Sequence, residues 1–100
     1  MEGRGWALIT VDAHLKDAAF RAVVDLAREW QWRHSYQIKR VDVVERLTGK
    51  GPAYSLFVAV KTQSEDQLPD AFNAILKQLP TNHPPDVDGY RARNSLEIDW

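Results

Sequence analysis

SYQIKRVDVVERLTGKGPAYSLFVAVKT, residues 35–62, is the stretch whose reading decides the fold. Its first half, Ser35 to Leu47, alternates apolar and polar residues but changes phase. Tyr36 and Ile38 share one parity, while Val41, Val43 and Leu47 share the other. Side chains alternate between the two faces of a strand, so a bulge near Lys39 or Arg40 is needed to keep both sets on one face. Thr48-Gly49-Lys50-Gly51-Pro52 then supplies glycines for positive φ and a proline that cannot continue a ladder, which predicts the loop of a hairpin. The return strand is expected from Tyr54 to Thr62.

Working outward, Trp6 to Val11 is short, β-branched and apolar on both faces, the signature of a central strand. Between it and the hairpin, Asp12 offers a cap to a helix. Its stripe is Leu15, Ala19, Val23, Leu26 and Trp30, widened by Phe20, Val24 and Ala27, with Lys16, Asp17, Asp25, Arg28 and Glu29 turned to water. Beyond the hairpin, Ser64 and Gln67 have capping-box spacing ahead of the stripe Leu68, Ala71, Phe72, Ile75, Leu76 and Leu79. Pro69 implies a loose first turn. Residues 80–89 are proline-rich and read as a surface connection. Tyr90, Ala92, Leu96, Ile98 and Trp100 alternate with Arg91, Arg93, Glu97 and Asp99, which predicts a last strand running to residue 100.

The resulting order is β-α-β-β-α-β. Right-handed crossovers then give a ferredoxin-like α+β fold: a four-stranded antiparallel sheet with two helices on one face, the first and third strands central. One hundred residues suit a single domain, 1–100.

The composition, 44% hydrophobic and 27% charged, is that of an ordinary globular protein. The absence of cysteine excludes disulfides, thiolate metal sites and cysteine nucleophiles. A net charge of −1 provides no global attraction to nucleic acid or anionic lipid. Without a leader-like start or an apolar run of the roughly 20 residues that span a bilayer, a cytoplasmic location with no membrane partner is expected.

An open sheet face must be wet, bind something or pack against a second copy. On the third strand, Tyr54, Leu56, Val58 and Val60 form the bulkier, more uniformly apolar set and belong against the helices. That leaves Phe57 on the open face with Ser55, Ala59 and Lys61. Lys50 to Phe57 resembles the third-strand signature of RNA-recognition motifs, which implies base stacking on that face. It departs from the signature at Pro52, where an aromatic is expected, and at Ser55, where an aliphatic is. The first strand lacks the partner motif. The segment Asp12 to Arg21 shares only Phe20-Arg21 with the phosphate cradle of acylphosphatases and has no glycines to admit an anion.

His14, His34 and His83 share no ligand spacing, and His83, Asp86 and Asp88 read as loop formers, so no metal and no cofactor is expected. Nucleotide loops, nucleophile elbows and supported carboxylate pairs are not recognisable. What stands out is Trp30, Trp32, Arg33, His34 and Tyr36, an aromatic and arginine-rich cluster of the kind found at interface hot spots. The plainer alternative is that Trp30 closes the core and Trp32 covers a helix end. Arg91 and Arg93 could add a basic strip, which Glu97 and Asp99 weaken.

The expected role is a noncatalytic protein-interaction module, acting on a larger protein or by self-association as a homodimer, with Trp32, Arg33, His34, Tyr36, Phe57, Arg91 and Arg93 as candidate binding residues. Two alternatives stand beside it. One is single-stranded nucleic-acid binding on the open face through Phe57, Lys61, Lys39, Arg40, Arg91 and Arg93. The other is a dimeric α+β barrel enclosing a small-molecule pocket near His34 or Tyr36.

Overall fold

The computed structural model describes residues 2–33, 36–80 and 87–92, with the backbone alone at 30–33 and 87–92. Strand β1 spans Gly3–Val11, helix α1 Lys16–Arg33, β2 Tyr36–Thr48, β3 Gly51–Thr62, helix α2 Leu68–Lys77 and β4 Val87–Ala92. Short 3-10 turns precede both helices, at Ala13–Leu15 and Glu65–Gln67.

Three long antiparallel strands in the order β2-β3-β1 make the sheet. β1 and β3 pair from Gly3↔Thr62 to Val11↔Tyr54, and β2 and β3 pair along their whole length to Thr48↔Gly51. The register between β2 and β3 shifts between Ile38 and Arg40, so the expected bulge is present, and Val41 and Val43 return to the face of Tyr36 and Ile38.

The four-stranded ferredoxin-like sheet anticipated from the sequence is corrected: a three-stranded antiparallel sheet and two helices form a small α+β fold. β4 lies on the outer edge of β1, but it is six residues long and pairs at Gly5↔Ala92, Trp6↔Arg91, Ala7↔Tyr90 and Ile9↔Val87 with a shift in register. Its pairing with β1 is broken by that shift, so it does not extend the regular three-stranded ladder. Asp88 and Gly89, both poor strand formers, lie inside it. Of the strand anticipated over Tyr90 to Trp100, residues 93–100 lie outside the described residues.

The core lies between one sheet face and both helices. Ala7, Ile9, Tyr36, Ile38, Leu56, Val58 and Val60 from the strands meet Ala19 and Val23 of α1 and Leu68, Ala71, Phe72 and Ile75 of α2. Each large aliphatic or aromatic side chain removed from water here contributes about 1.5–3 kcal/mol before entropy is counted. Val11, Phe20, Leu26 and Ala27 complete the core from its margin. Trp30, anticipated as a lid on this core, has a side chain outside the description.

Local chemistry accounts for the helix starts. Asp12 is extended (φ −66°, ψ 140°), and its carbonyl accepts from the Leu15 N–H at 2.9 Å, closing the 3-10 turn. Lys16 is half-buried rather than turned to water, with its ammonium 5.0 Å from the centre of the Tyr54 ring. The Ser64 N–H donates to Gln67 Oε1 at 3.0 Å, within the capping box that the spacing predicts. Pro69 sits in the first turn of α2, where a missing N–H costs nothing.

The hairpin outruns the rest of the sheet. Its turn is Gly49-Lys50, and β3 begins at Gly51 (φ 111°), three residues earlier than the anticipated start at Tyr54. Pro52 is tolerated within the strand because β1 ends opposite Tyr54, so among the described residues no strand asks for an N–H on that side. Leu47, opposite Pro52, is 88% exposed.

Candidate interaction surface

The face of the sheet away from the helices collects the even-numbered residues of β1 and the odd-numbered residues of β3. Arg4, Trp6, Leu8 and Thr10 stand beside Ser55, Phe57, Ala59 and Lys61. After the bulge, β2 adds Arg40, Asp42, Val44 and Arg46, opposite Ala59, Phe57, Ser55 and Ala53.

An aromatic layer lies at its centre. Trp6 is opposite Ala59, and Phe57 is opposite Leu8, so the two rings are diagonal neighbours. They stack with centroids 5.9 Å apart and planes inclined by 24°. The small Ala59 makes room for this and is fully buried. The Arg40 guanidinium approaches the Phe57 ring to 5.8 Å and forms an ion pair with Asp42. A cation over a part-exposed ring is worth about 0.5–1 kcal/mol.

Charge rings this layer. Glu2 accepts from Arg4 at 3.1 Å and faces Lys61 at 3.3 Å. These two partners, Arg4 first, hold its carboxyl below the usual range. Arg46 donates to the buried Ser55 hydroxyl at 3.4 Å. Arg4, Arg40, Arg46 and Lys61, with the carboxylates of Glu2 and Asp42 among them, set charged groups around the aromatic centre of this face.

Of the residues singled out from sequence, Phe57 lies on this face as expected. Tyr36 lies in the core, 6% exposed, because it shares the parity of Ile38 before the bulge, and burial pushes its hydroxyl pKa up. The backbone of Arg91 pairs with Trp6, and its side chain lies outside the description. So do the side chains of Trp32 and Arg33, and His34 and Arg93 altogether. Trp6, Leu8 and Arg4 were missed from sequence. Once Phe57 is placed outward, the antiparallel register with β1 is the signal that finds them.

Among the described residues, no group of three or more His, Asp or Glu side chains stands close enough to hold a metal ion. No helix there is long and apolar enough to cross a membrane. Comparisons with protein-family models, curated proteins and solved structures returned no match.

Proposed function

We propose that this protein is a noncatalytic protein-interaction module whose working surface is the open sheet face. The Trp6–Phe57 stack with Arg40 against it carries this reading. Trp and Arg are enriched among residues that dominate binding energy, and here they are fixed on rigid strands, which lowers the entropy lost on docking. Arg4, Arg40, Arg46 and Lys61 around the stack suit a partner surface that offers carboxylates.

The test is site-specific photocrosslinking in cells from Leu8, beside the stack, with Asp25 on the exposed side of α1 as reference. A discrete protein adduct from Leu8, lost on Lys61→Glu and not formed from Asp25, supports the reading. Equal labelling from both positions overturns it.

The aromatic pair also favours a second reading, single-stranded nucleic acid stacked on Trp6 and Phe57. A fluorescent oligonucleotide then shows an anisotropy rise at low salt that fades steeply as salt is added. No rise at low salt removes this reading and leaves the first.

A further inference from the structure

β2 is the outermost strand of the sheet, and after its bulge Arg40–Thr48 runs as nine regular residues. Long regular edge strands invite pairing, and proteins ordinarily shield them with bulges, charges or short length. Here the bulge guards only the part before Arg40, and the regular part exposes Val43 at 38% and Leu47 at 88%.

That part is self-complementary. Two copies joined edge to edge about a two-fold axis normal to the sheet pair antiparallel, with directly opposed residues on the same face. Centring the axis on Val44 sets Asp42 opposite the Arg46 of the second copy, twice by symmetry. It sets Val41 opposite Leu47, also twice, and so covers the most exposed apolar side chain. Arg40 meets Thr48, and Val43 meets Glu45. Shifting the axis to Val43 opposes Arg40 to Arg46. Shifting it to Asp42 or Glu45 sets like charges on the axis itself. Opposed unlike charges stabilise a strand pair and like charges oppose it.

We infer that the chain forms a homodimer by antiparallel β2–β2 pairing centred on Val44, which continues the sheet from one copy into the other and sets the two open faces side by side. The occupant of the edge is a second copy of this chain. This goes beyond the open-face reading, which stands or falls separately by the crosslinking from Leu8.

The chain has no cysteine, so Val44→Cys introduces a single thiol. Opposed residues on an antiparallel ladder have Cα atoms about 4.5–5.5 Å apart, within disulfide range. Under mild oxidation Val44→Cys is expected to give a covalent dimer quickly. Leu47→Cys, more exposed but opposite Val41, lags behind it, and mixing Val41→Cys with Leu47→Cys yields the heterodimer. By light scattering, Asp42→Arg weakens the dimer about tenfold, and Asp42→Arg with Arg46→Asp restores it. A wild-type chain monomeric across the concentration series overturns the dimer. Crosslinking of Leu47→Cys as fast as Val44→Cys overturns the register.

Discussion

Trp6 and Phe57 stack with ring centroids 5.9 Å apart although they are not ladder partners: each is opposite an aliphatic residue, Ala59 and Leu8 respectively. Their contact is diagonal across β1 and β3 and depends on the small side chain of Ala59. Such pairs add about 0.5–1.5 kcal/mol beyond the area they bury. A double-mutant cycle with Trp6→Ala and Phe57→Ala, measured by chemical denaturation, is expected to give a coupling energy in that range. A value indistinguishable from zero means the two rings contribute only through burial.

Much of this surface was legible in the sequence, for identifiable reasons. The phase change between Ile38 and Val41 located the bulge because a strand has a strict period of two. Phe57 was placed outward because the alternative set, Leu56, Val58 and Val60, fills a core better, and all three are fully buried. Trp6 escaped notice because residues 6–11 are apolar on both faces, which hides parity. Tyr36 was grouped with Trp32, Arg33 and His34 by adjacency, when its parity with Ile38 was the stronger signal. In the last segment, alternation from Tyr90 onward suggested a strand that begins there, whereas β4 begins at Val87, ahead of the alternation, and residues 93–100 lie outside the described residues.

Gly3 is required by close approach. A Cβ there would lie 2.2 Å from Thr62 Oγ1 and 2.7 Å from the Ser64 carbonyl oxygen, and the Thr62 hydroxyl already donates to that oxygen at 2.5 Å. Backbone on one side and a hydrogen-bonded side chain on the other leave little room to yield. Gly3→Ala is expected to cost about 1–3 kcal/mol, the range for overpacking. Gly49→Ala, with nothing within 4 Å of its added Cβ, is the matched control and should be near neutral. Equal thermal shifts for the two variants would refute the steric account.

Ile75 is fully buried and Leu47 is 88% exposed. Ile75→Ala is expected to cost about 2–5 kcal/mol by the loss of burial and the cavity left behind. Leu47→Ala should leave stability at low protein concentration within about 0.5 kcal/mol, as ordinary surface substitutions do. At concentrations where the β2-paired dimer forms, the same variant should lower the midpoint of unfolding, because Leu47 is then covered by Val41 of the second copy.

Tyr36 ties burial to pH. Its hydroxyl pKa is raised by desolvation above the ordinary value of 10.0, since the phenolate is disfavoured in the core. The sign follows from linkage. Below the unfolded-state pKa both states hold the proton, and the group contributes no pH dependence. As pH rises past that point the unfolded chain ionises first, so stability falls until the folded pKa is reached. Denaturation midpoints of the wild type are therefore expected to drop between about pH 9.5 and 11, around the unperturbed tyrosine pKa. Tyr36→Phe is expected to remove this decline. If the two pH profiles are parallel across that window, Tyr36 ionises as readily in the folded chain as in the unfolded one, and its hydroxyl reaches solvent.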